Sequence, residues 1–270
     1  MNDDEISQMI AIGSLLIALL VIISFSIYQF YTIAFSIYTF FKPIDENYKR
    51  ILERNFYYYK QLNAKDKKKF EKRLKKFIIS KNFLSGEEGF KITTEMKVLI
   101  SATAIQISFG LPYISLVSFG KILIFRDKYY SPTTDHYHKG EVNPPLSMII
   151  LSWKHYLEGY ITADDGLNVG IHEMAHAYHM EDYMVNSEYD YLDRKTFNDW
   201  HYLAKLEMDK IKSGENQFFR AYGATNTHEF FAVAVECFFE KPEEFKRKHI
   251  ELYLTLKDLL NQDPLEMYSN

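Results

Sequence analysis

The stretch "VGIHEMAHAYHM", Val169 to Met180, decides how this chain is read. His172 and His176 stand four residues apart, so on a helix they stack on one face and can chelate one ion. Glu173 lies about 100° around that helix from His172, beside the ion rather than on it, where it can take a proton from an activated water. Imidazole nitrogen suits zinc, and the H-E-x-x-H spacing is the arrangement of metalloproteases. Ile171, Met174 and Ala175 give the helix an apolar side, and Asp164 or Asp165 ahead of it is the expected N-cap.

A catalytic zinc needs a third protein donor and an open position for water. His179 is nearest in sequence, but it lies roughly 60° around the helix from His176 and one turn further along. It reads as a supporting residue behind the donors or as a surface residue. Glu181 and Asp182 follow where some zinc peptidases carry glycine and a further histidine. The distant stretch "AYGATNTHEFFAVAVECFF", Ala221 to Phe239, offers Glu229 near the start of a helix with Phe230, Val233 and Phe238 on its apolar face. Glutamate from a second helix is the usual partner when H-E-x-x-H lacks a third histidine. Asn226, three residues before Glu229, also resembles a capping box in which that carboxylate would bond the Asn226 N–H instead. His228, Glu236 and Asp182 are rival donors. Glu236 lies two helical turns after Glu229 and could accept the second N–H of a ligand histidine, or simply face solvent.

Outward from these motifs, the 270 residues are 47% hydrophobic and 16% aromatic, ample for a packed core. A net charge of −4 argues against a general nucleic-acid binder. The single cysteine, Cys237, excludes an intramolecular disulfide and a Cys-rich zinc cluster, and suits a reducing compartment.

From Ser7 to Phe41, "SQMIAIGSLLIALLVIISFSIYQFYTIAFSIYTFF" holds no charged residue. A helix of about 20 apolar residues spans a bilayer, so one retained membrane span is expected, running on into an aromatic interfacial turn. The acidic start "MNDDE" and the length of the run argue against a cleavable signal peptide. Lys42, Lys49, Arg50, Arg54 and Lys60 follow it, then "KDKKKFEKRLKK", and no Lys or Arg precedes it. The positive-inside rule places the C-terminal bulk in the cytoplasm, below the cell membrane, with the basic cluster able to touch anionic lipid. The expected organisation is an anchor over 1–42, a basic juxtamembrane linker over 43–61 and a folded domain over 62–270.

Within the folded part, Lys65 to Asn82 reads as an amphipathic helix with Phe70, Leu74, Phe77 and Ile78 on one face. "TTEMKVLISATAIQISFG" reads as a more buried helix, ended by Gly110 and Pro112. "SFGKILIFRDKYY" and "LSMIILSW" are β-prone, and the polar "SPTTDHYHKGEVNPP" between them reads as a loop. The strand "GKILIFRD" is a candidate edge strand for pairing with an extended substrate. With a helix at about Thr227 to Glu240, a break at Pro242 and one or two terminal helices, the class is α+β.

The motifs "IILSW", "DGLNVGIHEMAH", "AYGATNTHEFFAVAVECFF", "KPEEF" and "NQDPL", in that order, carry a likeness that runs from about Leu62 to Pro264. In them the chain resembles the Mlc titration factor A family of zinc metallopeptidases, whose catalytic fold is related to that of anthrax lethal factor. The resemblance implies a zincin-like domain with zinc held by His172, His176 and Glu229, and Glu173 as general base. It also implies that Tyr222 donates its phenolic O–H to the oxyanion of the reaction. His179 departs from a position that is usually acidic in relatives, and the anchor has no counterpart in the soluble members. The expected function is a membrane-anchored zinc peptidase acting on a peptide or protein substrate, with membrane lipid as a second partner and no nucleic acid. The alternative is a membrane-tethered protein that sequesters a transcriptional regulator, with zinc in a structural role.

Overall fold

The computed structural model describes residues 3–41, 43–112, 115–131, 135–161, 166–184 and 194–268. The chain divides into two units, Met1–Ile44 and Asp45–Asn270. The first is one helix, α1 (Asp3–Phe41), whose described apolar side chains lie outside any core: Leu15 is 69% and Phe30 74% exposed. Its stretch Gln8–Phe35 is long and apolar enough to cross a membrane. At 28 residues it would extend about 42 Å, beyond the roughly 30 Å of a bilayer's hydrocarbon. The hydroxyls of Ser26 and Thr32 donate back to the carbonyls of Ile22 and Tyr28, so they need no water.

The second unit starts earlier than its charge pattern suggests. The stretch expected to be a basic linker forms α2 (Glu46–Asn55) and α3 (Tyr57–Gln61), with Asp45 capping the first. Leu52, Phe56, Tyr58 and Tyr59 are buried, while Arg50 and Arg54 keep to the outer face or its border. A basic surface therefore hid an apolar stripe, and the stripe decides where the fold begins. The next helix, α4 (Ala64–Ser80), buries Phe70, Leu74 and Phe77 as expected, after the Asn63 side chain accepts the N–H groups of Lys65 and Asp66. It packs on α5 (Thr94–Ile107), which is buried from Val98 onward. Arg73 of α4 donates to the carbonyls of Ser108, Phe109 and Leu111, occupying the acceptors that the end of α5 leaves over.

A four-stranded sheet holds β1 (Asn82–Ser85), β2 (Lys121–Phe125), β5 (Gly140–Asn143) and β6 (Met148–Ser152), in the order β1-β2-β6-β5. The first three neighbours are parallel, and β5 runs antiparallel to β6, with Gly140 opposite Leu151. The polar stretch expected to be a loop contains β5, which pairs with the open side of β6, and most of a ribbon of β3 (Tyr129–Ser131) and β4 (His136–His138), which pair with each other; composition shows neither partner. The strand "GKILIFRD", expected at an edge, is interior: β2 pairs on both sides, and β5 is the edge beside β6.

The remainder is helical: α6 (Trp153–Ile161), α7 (Val169–Met184), α8 (Arg194–Ser213), α9 (Thr227–Glu240), α10 (Pro242–Lys248), α11 (Ile250–Leu260) and α12 (Pro264–Tyr268). The fold is mixed α and β, mostly helical with a small sheet. Helix α7 packs against α5, α9, β5 and β6, which makes it the central element. The N-cap expected at Asp164 or Asp165 lies outside the described residues. Asn168 serves at this helix start, its Oδ1 accepting the Ile171 N–H at 3.0 Å. Pro242 stands at the first turn of α10, where its missing N–H costs nothing.

Candidate metal centre

Helix α7 presents His172 and His176 on the face that meets the first turn of α9, and Glu229 projects from that turn. His172 Nε2 and His176 Nε2 lie 3.1 Å apart, and Glu229 Oε2 lies 3.1 Å from the first and 3.2 Å from the second. Two imidazole nitrogens and one carboxylate oxygen thus form a nearly equilateral triangle. Donors 2.0–2.1 Å from a tetrahedral ion are separated by about 3.3–3.4 Å, so the triangle is close to one face of such a tetrahedron.

The surrounding bonds bear on which lone pairs face inward. Glu236, only 1% exposed, lies with Oε1 2.7 Å from His172 Nδ1, and its other oxygen accepts the Asn168 N–H at 2.7 Å. A proton on His172 Nδ1 would leave the Nε2 lone pair for the triangle. Arg220 also donates to Glu236, so the buried carboxylate is met by Arg220, His172 and the Asn168 N–H at once. His176 Nδ1 is buried and has no hydrogen-bond partner among the described residues.

Electrostatics say the same of the triangle. Burial pulls His172 down, but its bonds to Glu229 and Glu236 outweigh that and push it up to about 10. Burial also opposes ionisation of Glu229, yet the two histidines hold it well below the usual carboxylate range. The carboxylates of Glu229 and Glu236 thus favour positive charge at this point, whether it is carried by a proton or by an ion.

Glu173 sits beside the triangle, buried, and is pushed up to about 7 by that burial, with His172 opposing and Glu229 adding to the rise. Gly140 at the start of β5 lies directly against it: a Cβ there would be 2.5 Å from Glu173 Cγ. Only glycine lets the edge strand approach so closely. Tyr222 is half exposed, with its ring 6.0 Å from that of His172, and burial and then Glu229 raise its phenol to about 12. His172, Glu173, Gly140, Lys139, Arg220 and Tyr222 line one cavity of about 550 Å³. A cavity of about 630 Å³ elsewhere, lined by Tyr58, Tyr160 and Pro242, contains none of the three donors.

The rival donors go elsewhere. Asn226 caps α9 by accepting the N–H groups of His228 and Glu229, while the Glu229 carboxylate turns to the histidines. His228 faces His179, Glu236 faces the far nitrogen of His172, and the Asp182 side chain lies outside the described residues. His179 is buried and belongs to neither side of the triangle. Arg220, Gly140 and Asn168 were not singled out by sequence reasoning. Their partners lie far along the chain, at separations of 16, 33 and 68 residues for Arg220–Glu236, Gly140–Glu173 and Asn168–Glu236, and no local periodicity records them.

The model of the glucose-regulated metallo-peptidase M90 family matches residues 39–260. The uncharacterised protein slr2042 of Synechocystis sp. is 29% identical over 241 residues, covering 84% of this chain and 87% of its own length. Mlc titration factor A of Salmonella agona is 30% identical over 122 residues, which cover 43% of this chain and 45% of that protein. Its Escherichia coli counterpart is 29% identical over 124 residues, 44% and 46% of the two. The chain thus aligns with less than half the length of either titration factor. The family match runs from the end of α1 to the end of α11 and takes in every residue of the triangle and its surroundings, so this chain belongs to the glucose-regulated metallo-peptidase M90 family.

Proposed function

We propose that the chain is a membrane-anchored zinc peptidase with a zincin-like catalytic domain. His172, His176 and Glu229 would hold the zinc, and the observation that carries this is their convergence to 3.1–3.2 Å of one another. In such a site the ion polarises a substrate carbonyl and makes water acidic enough to attack at neutral pH.

The other residues complete the chemistry. Glu173, raised by burial to the neutral range, accepts the proton of the attacking water and passes it to the leaving amine. Tyr222 keeps its proton at neutral pH and offers it as a hydrogen bond to the oxyanion. The open edge of β5, which begins at Gly140 against Glu173, is where an extended peptide would pair its backbone. Glu236 and Arg220 position His172 rather than touch substrate. The anchor is residues 1–42, and the positive flank that follows it supports a cytoplasmic catalytic domain.

The name of the titration factors A favours one other reading: a tethered protein that binds a transcriptional regulator, with the zinc purely structural. Glu173→Gln separates the two. In full-length protein held in detergent micelles, it is expected to keep its metal and lose about 10²–10⁴-fold of its hydrolysis of a peptide library. Hydrolysis at the wild-type rate by this variant would overturn the peptidase mechanism.

A further inference from the structure

The same two helices bring a second group of imidazoles together, outside the triangle. His179, on α7 one turn past His176, has its Nδ1 3.3 Å from the Nδ1 of His228, the residue before Glu229 on α9. Their ring centroids are 4.6 Å apart. His201 of α8 brings a third imidazole, with its centroid 6.4 Å from that of His179. Phe197 and Phe231 wall the buried His179 ring at 5.4 and 5.2 Å.

An ordinary N–H···N bond between two neutral imidazoles is the plain explanation of the 3.3 Å contact. The same separation is that of two nitrogens on a shared tetrahedral ion, for which 2.0–2.1 Å bonds give about 3.3–3.4 Å. The triangle on the same helix pair has nearly the same spacing. Burial, followed by the positive charges His228 and His201 would carry, holds His179 down to about 3, so it presents a lone pair throughout the physiological range. Among the described residues no carboxylate pairs with His179, His201 or His228. His228 is exposed and His201 half-buried, so an ion has a path from solvent.

We propose that His179 and His228, with His201 turning in as a third donor, form a second transition-metal site that ties α7, α8 and α9 together. An all-imidazole site suits zinc, copper or nickel. It lacks the carboxylates that neutralise an ion at His172, His176 and Glu229, so it fills after that site. The inference does not depend on peptidase activity.

Cobalt(II) serves as the probe, in full-length protein stripped with a chelator and held in detergent micelles. Two equivalents are expected to bind, resolved by titration and elemental analysis. His228→Ala, a change at an exposed position, is expected to reduce the stoichiometry from two to one. His201→Ala should weaken the second equivalent by at least about tenfold. His172→Ala with His176→Ala should retain one equivalent with the visible absorption of cobalt bound to nitrogen. Saturation of the wild type at one equivalent, or two equivalents persisting in His228→Ala, would overturn the proposal.

Discussion

Two of the buried polar clusters on helix α7, one at each end, are built on opposite principles. Toward its start, His172 Nε2, His176 Nε2 and Glu229 Oε2 converge to 3.1–3.2 Å of one another, and His176 Nδ1 has no hydrogen-bond partner among the described residues. Toward its end, Glu181 accepts the N–H groups of Val117 and Ser118 at 2.7 and 3.1 Å. Lys81, 8% exposed, donates to the carbonyl of Leu116 and adds its charge near Glu181. Leu116 stands at φ 50°, an uncommon backbone state for a residue with a side chain, and this cluster holds it there. One cluster answers its polar groups within the chain; the other converges them on a point in space. Burial of charge alone does not separate a structural cluster from an ion site, and the destination of each lone pair does.

Glu229→Ala should abolish binding of the tightest metal equivalent, measured by elemental analysis after dialysis, because two imidazoles alone do not make a closed site. Unit stoichiometry surviving at that affinity would move the third donor elsewhere. Next comes Gly140→Ala, whose new methyl would sit 2.5 Å from Glu173 Cγ and is expected to displace that side chain. Hydrolysis is expected to fall about 10²-fold with metal content unchanged, since a misplacement of about 1 Å costs that much. An unaltered rate would show that the edge strand yields instead.

Smaller effects lie behind the donors. Glu236→Gln removes the charge facing His172 Nδ1 and should weaken the tightest metal equivalent about 10–100-fold, read by competition with a chelator. An unchanged affinity would leave Glu236 as a purely structural partner of Arg220 and Asn168. At the other cluster the signature is pH, not metal. Burial lowers Lys81 from 10.5 to about 8, with Glu181 opposing. Between those values the unfolded chain binds the extra proton, so stability rises with pH across the window and is flat below it. From pH 8 to pH 9 the gain is about 1 kcal/mol, and Lys81→Met should remove it from denaturant midpoints. Parallel pH profiles for the two proteins would place Lys81 in water.

How much of this was legible follows from the range of each interaction. The pairing of His172 with His176 is a property of any helix, since four residues make just over one turn. The buried faces of α4 and α9 were equally plain, because 3.6-residue periodicity is written locally. Glu229 stood among rivals because a glutamate three residues after Asn226 has two legitimate partners, and only the approach of α7 chooses between them. The stretch 43–61 misled because its basic residues are conspicuous and its apolar stripe is short.

The chain's own order of residues was enough to establish a long helix with an uncharged run from Ser7 to Phe41, two histidines one turn apart on a second helix, and a mixed α and β class. Tertiary structure decided that β5 rather than β2 lies at the edge, that Gly140 touches Glu173, and that Arg220 and Glu236 stand behind His172. These depend on strand order and on helices meeting across dozens of residues. A local pattern records the shape a segment prefers, whereas which segments meet is settled only when the core is packed.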